Sequence, residues 1–118
     1  MSAIHRYEPA HQPEDLDRFF LERANAGDVD GVVALYEPDA VLGFPPGQRT
    51  VGVGEIRRVY VELLATRVVF EGDIRPPVRN GDIAMTSTTR PGNATVEVAR
   101  KQADGTWLWT IDQPSVLG

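Results

Sequence analysis

The sequence predicts an α+β domain in which three helices come first and an antiparallel sheet follows. Three observations carry this. Apolar residues recur at helical spacing as far as residue 65. Beyond residue 66 the pattern changes to alternation. Turn dipeptides then punctuate the alternating stretches at Asn80-Gly81, Pro91-Gly92 and Asp104-Gly105. Helices that precede strands, rather than interleave with them, pack on one face of a sheet.

The elements follow in order. Residues 1–12 are polar and aperiodic and read as a flexible arm carrying His5 and His11, so that the domain spans 13–118. Pro13, Glu14 and Asp15 suit the first turn of a helix, where a missing N–H is harmless and negative charge meets the positive end of the dipole. Leu16, Phe19, Phe20 and Ala24 continue it, and Gly27 stops it. Asp28 can cap a second helix whose stripe is Val29, Val32, Val33 and Tyr36, ended by Pro38. Ala40 to Gly43 suits a short strand, and Phe44-Pro45-Pro46-Gly47 a loop. Ile56, Val59, Tyr60, Leu63 and Leu64 place a third helix over about 53–65. Four strands are then expected at 68–74, 83–89, 94–101 and 107–113.

Composition narrows the function. The 118 residues fit one domain and include no cysteine, which removes disulfides, thiolate metal sites and cysteine nucleophiles. The net charge is −5 without a basic stripe, so nucleic acid is not an expected partner. No apolar run reaches membrane-spanning length, and the first 15 residues lack a leader's apolar core, so no membrane is expected and the location is read as cytoplasmic. The only histidines, His5 and His11, lie in the arm, which argues against a Ser–His–Asp site and a metal site. Gly52-Val53-Gly54 lacks a third spaced glycine and is read as a tight helix entry rather than a dinucleotide fingerprint.

One hairpin can be read in register. If Asp104-Gly105 forms a two-residue turn, Arg100 opposes Trp109, Val98 opposes Ile111, and Glu97 opposes Asp112. Arg100 then stacks on Trp109, and both tryptophans share a face with Val98 and Ile111. Two opposed carboxylates repel, and on a covered face one keeps its proton, which suits acid–base chemistry. A three-residue loop would shift the register and separate the pair. The plainer reading is that an arginine such as Arg75, Arg79 or Arg90 neutralises them, or that they face water. Tyr36 and Tyr60 read first as core residues with their hydroxyls at a polar rim.

Several of these stretches resemble the SnoaL-like and ketosteroid-isomerase-like branch of the NTF2-like superfamily. They are Asn25-Ala26-Gly27-Asp28, Val32 to Tyr36 with Asp39-Ala40, Gly52 to Ile56, and Asp104 to Asp112. The resemblance implies a cone of three helices on a curved sheet, an apolar pocket for a small organic ligand, no cofactor, and pairing as homodimers through the outer sheet face. It places Phe44 where the isomerase has its general base and Phe20 where it has an oxyanion-hole tyrosine. Glu97 falls where it has a protonated aspartate, with Tyr36 and Tyr60 as supporting tyrosines. Two of the three catalytic positions are apolar, so ketosteroid isomerisation by that mechanism is not expected. The same correspondence points Ser87, Thr89, Thr95, Thr110 and Asp112 into the pocket beside Phe20, Phe44 and Met85. The expected function is a cofactor-free isomerase, cyclase or lyase with Glu97 and Asp112 as catalytic residues. The alternatives are a ligand-binding module and a dimerisation module whose outer face carries Val96, Val98, Trp109 and Ile111.

Overall fold

The computed structural model describes residues 7–116. Helix α1 (Pro13–Asn25) begins as its first turn dictates: the Asp15 carboxylate accepts the backbone N–H groups of His11 and Gln12. Asp28 caps α2 (Val29–Val33) by accepting the Gly31 N–H at 3.0 Å. This helix is shorter than its apolar stripe suggests. The Leu35 carbonyl accepts the Trp109 N–H at 2.8 Å, so the chain joins the sheet and Tyr36 opens strand β1 (Tyr36–Leu42). Tertiary pairing overrides the helical period here. Strand β2 (Thr50–Val51) has no counterpart in the sequence pattern, whereas α3 (Val53–Ala65) matches its own.

The expected strand at 68–74 shrinks to β3 (Asp73–Ile74). The Asn25 side chain instead donates to the Phe70 carbonyl at 2.8 Å and accepts the Phe70 N–H at 2.7 Å. That clamp satisfies the backbone without a strand neighbour. Strands β4 (Val78–Asn80), β5 (Ile83–Arg90), β6 (Asn93–Lys101) and β7 (Trp107–Gln113) complete the sheet. Its order is β2-β1-β7-β6-β5-β3, with β4 also on β5. All pairs are antiparallel except β1 with β7, which is parallel. The three helices pack on one face of this curved, unclosed sheet.

The β6–β7 hairpin departs from the two-residue turn. Gln102 and Thr106 close a three-residue loop, with Gly105 at φ 87°, where a side chain would be strained. The register therefore starts one residue off, pairing Ala99 with Trp109. A bulge at Thr110 then restores it, so Val98 opposes Ile111 and Glu97 opposes Asp112. The two shifts cancel for the carboxylates but not for the tryptophans. Trp107 and Trp109 turn inward, each 1 % exposed, and are the largest fully buried side chains. Removing a buried ring of this size costs about 3–5 kcal/mol, a large part of the roughly 5–15 kcal/mol that holds a domain together. Arg100 lies on the outer side against Glu37 (2.9 Å) and Thr110 (3.2 Å) rather than on Trp109.

The described end of the arm is bound to the domain. Ala10 is buried and its carbonyl accepts the Trp107 N–H at 2.9 Å, while the Tyr7 hydroxyl donates to Asp28 at 2.7 Å. His11 is exposed, and His5 lies outside the described residues. Among the described residues no helix is long and apolar enough to cross a membrane.

Candidate functional site

The bend of the sheet and helices α1 and α3 line a cavity of about 680 Å³, within the range of small-molecule sites. Phe20 from α1, Tyr60 from α3 and Trp109 from β7 line one end. Phe20 meets Tyr60 and Trp109 with ring centroids 6.0 Å apart, and Phe70 at 5.2 Å. Phe44 lies on the opposite loop and also lines the cavity.

Three carboxyls reach this apolar space: Asp17 from α1, Glu97 from β6 and Asp112 from β7. They are 3 %, 3 % and 5 % exposed. Among the described residues no arginine or lysine forms an ion pair with any of them. Arg75 is exposed, Arg79 lies over the Trp107 ring, and Arg90 is exposed at the cavity rim. Burial without a compensating cation disfavours the charged form. The Glu97 carboxyl is pushed up to about 9, first by burial and then by the charges of Asp112 and Asp17. Burial also raises Asp112, to about 7, with the Tyr36 hydrogen bond pulling the other way. Asp17 is raised by burial, opposed by hydrogen bonding with Glu97, Thr86 and Thr88.

Two hydrogen-bond chains hold the groups in place. The Trp109 indole N–H donates to the Thr86 hydroxyl at 3.1 Å, which donates to Glu97 Oε1 at 2.6 Å. The Tyr36 hydroxyl donates to Asp112 Oδ2 in a short contact. Its one proton is thereby used, so Tyr60, 2.8 Å away, donates to Tyr36. Both hydroxyls titrate well above the usual tyrosine value because they are buried beside Asp112. They form a buried hydrogen-bonded pair rather than the polar rim expected of them. Tyr60 faces the cavity, while Tyr36 is not among the residues that line it.

Other expectations change with the strand faces. Thr95 lines the cavity. On β5 it is Thr86 and Thr88 that turn inward, because they oppose Glu97 and Thr95. Met85, Ser87 and Thr89 therefore lie on the outer face, Met85 50 % exposed. Thr110 is the bulge residue and faces Arg100 outside. Asp17 was missed, along with Thr86, Thr88 and Trp109. Its one signal is position: it stands three residues before Phe20, which puts a charge on the apolar stripe of α1. Among the described residues no cluster of His, Asp or Glu could hold a metal ion.

A cone of helices over a bent sheet defines an NTF2-like fold. The chain belongs to the SnoaL-like domain family, whose pattern it matches over residues 16–116. It is similar to a ketosteroid isomerase-like protein from Erwinia carotovora atroseptica, with 26 % identity, 85 % of this chain and 89 % of that chain covered, and a TM-score of 0.69. An NTF2-like protein provisionally named a dehydratase, from Streptomyces avermitilis, shares 17 % identity over 87 % and 93 % of the two chains, with a TM-score of 0.70. An NTF2-like protein of unknown function from Shewanella oneidensis shares 19 % identity over 84 % and 92 %, with a TM-score of 0.69. Among curated proteins there is no match.

Proposed function

We propose that the cavity is the active site of a cofactor-free lyase, isomerase or cyclase acting on a small, largely apolar organic molecule. One observation carries this reading: three buried carboxyls meet in one apolar cavity, and among the described residues no arginine or lysine pairs with them. Environments that push neighbouring carboxyl pKa values apart separate an acid from a base. Glu97, at about 9, is the neutral acid at pH 7. Asp112, at about 7 and held by Tyr36, is the base. A proton leaves the substrate to Asp112, and Glu97 donates one to the leaving or rearranging oxygen. Phe20, Phe44, Tyr60 and Thr95 position the substrate.

The test is a mass-spectrometric screen of hydroxy-ketones and other small carbonyl compounds for loss of water or isomerisation. Glu97→Gln and Asp112→Asn are screened beside the native chain, with folding checked by circular dichroism. Turnover that disappears in both folded variants supports the reading. Turnover that persists in both removes these residues from the chemistry. Ligand binding that survives both substitutions without any turnover favours the binding module instead. That second reading draws on the apolar residues, Phe20 and Phe44, at two positions where the isomerase resemblance calls for polar ones. We also propose that the outer sheet face joins two copies of the chain. Val96, Val98 and Ile111 remain on that face, and Met85 takes the place expected for Trp109.

A further inference from the structure

The groups that reach the cavity floor are acidic or neutral. Asp17, Glu97 and Asp112 face one another from α1, β6 and β7, and the titratable groups behind them are the hydroxyls of Tyr36 from β1 and Tyr60 from α3. Glu71 and Arg90 belong to the exposed rim. A second observation stands apart from the clustering. Asp17 is 3 % exposed and lines the cavity; Glu97, Thr86 and Thr88 lie within hydrogen-bonding reach of its carboxyl, yet its Oδ2 atom has no partner. Buried polar atoms are nearly always paired, and an orphan marks a place where a partner belongs. The carboxyls do not form a group that could hold a metal ion. What surrounds them is aromatic: Phe20, Tyr60, Phe70 and Trp109 close on the same end. Ring faces attract organic cations, and a buried carboxylate pairs with an ammonium.

We infer that the molecule this cavity takes is a small organic amine, its ammonium seated at Asp17 between Glu97 and Asp112 and its apolar body against Phe20 and Trp109. The inference rests on the binding reading of the cavity, since carboxyls that lose their protons beside an ammonium no longer supply the acid, and it specifies the class of ligand. A neutral ligand of the same shape leaves the floor carboxyls holding their protons, and an anionic one brings charge of the same sign to them. An ammonium brings positive charge to it, so the carboxyls give up protons as it binds. Affinity should therefore be accompanied by proton release near neutral pH.

Three probes of similar shape distinguish the possibilities: 2-phenylethylamine, 2-phenylethanol and 3-phenylpropionate. Each is titrated into the native protein at pH 7 by calorimetry, with ¹⁵N NMR locating the perturbed residues. The amine should bind at least tenfold more tightly than the alcohol, with the carboxylate weakest. Its apparent heat should differ between phosphate and Tris buffers, because released protons are taken up by the buffer. Asp17→Asn should weaken the amine about tenfold and leave the alcohol unchanged. If the alcohol or the carboxylate binds in the cavity as tightly as the amine, the amine inference is overturned while the ligand-site reading stands. If none of the three perturbs cavity residues, both fall.

Discussion

At the scale of single residues, Glu97 sets the sign of a pH dependence. Its carboxyl ionises near 4.5 when exposed and near 9 in the folded chain. Between those values the unfolded state holds fewer protons than the folded state, so stability falls as pH rises through that window. Asp112 acts in the same direction between 3.8 and about 7. Glu37 acts oppositely: burial raises its pKa, but bonds from Gln102 and Arg100 outweigh that and lower it, so its contribution is lost as pH falls from the usual glutamate value through the lower folded one. Thermal unfolding should therefore show a maximum on the acidic side of neutrality. Glu97→Gln keeps an oxygen for the Thr86 hydroxyl and never has to ionise. It should flatten the alkaline limb and raise stability at pH 8 by about 1 kcal/mol or more, roughly 4 °C in Tm for a small domain. A variant less stable than the native chain at pH 8 would contradict the buried-acid account. Tyr36→Phe removes the hydrogen bond that favours ionised Asp112. The carboxyl pair should then titrate higher, a shift readable in ¹³C-carboxyl NMR as a property of the coupled groups. The opposition of Glu97 and Asp112 follows from a two-residue turn that does not form, and it holds only because the three-residue loop and the bulge at Thr110 cancel. Asp17 was not legible, because one charge on an apolar helical stripe looks like an exposed edge until the cavity above it is seen.

At the scale of elements, the sequence was most readable where periodicity was long and unopposed. Helix α3 and strand β7 lie where their patterns put them, residue for residue. Legibility failed where one element answered to another. The second helix lost its last turn to pairing with β7, and the stretch at 68–72 gave up strand structure to the Asn25 clamp. Strand faces were harder still, because a single bulge inverts every side chain beyond it. The loop of Ala103, Asp104 and Gly105 and the bulge at Thr110 compensate for each other. Bulges have no composition signal comparable with Asp-Gly, so the tryptophans' faces could not be read. Gly72 offers a test of how tightly elements meet beside the site. It adopts φ 155°, and a Cβ there would come within 2.4 Å of Thr88 Cγ2 and 3.1 Å of the Thr89 carbonyl. Thr88 is a short β-branched side chain on a strand paired on both sides, so its methyl gives way only by a change of rotamer. Gly72→Ala should destabilise the domain by about 1–3 kcal/mol, the range for forcing extra atoms into a packed site. Chemical denaturation measures it; a change below 0.5 kcal/mol (about the noise of neutral surface substitutions) would mean that β3 slides freely on β5.

At the scale of the molecule, the sheet has two unlike faces. The inner face is filled by helices and cavity. The outer face carries an apolar row that crosses six strands in register: Val78 with Met85, Met85 with Val98, Val98 with Ile111, Ile111 with Val41, and Val41 with Val51. Four of these are substantially exposed, at 70 % for Val78, 53 % for Val51, 50 % for Met85 and 49 % for Ile111. Scattered apolar residues on a surface require no explanation, but a contiguous row is a candidate interface. A stable pairing needs about 800 Å² from each partner, and a row spanning the sheet can contribute a large part of that. Val98 sits mid-row, between Met85 and Ile111, and is the best place to break it. A lysine there would put a charge from each copy near the centre of a two-fold contact, where it meets apolar surface and its own symmetry mate. In the monomer the same lysine would reach solvent and disturb little. Val98→Lys should therefore give a folded chain with unchanged circular dichroism that sediments as a monomer where the native chain sediments as a dimer. A native chain that is itself monomeric, or a variant that stays dimeric, would rule this face out as the pairing surface.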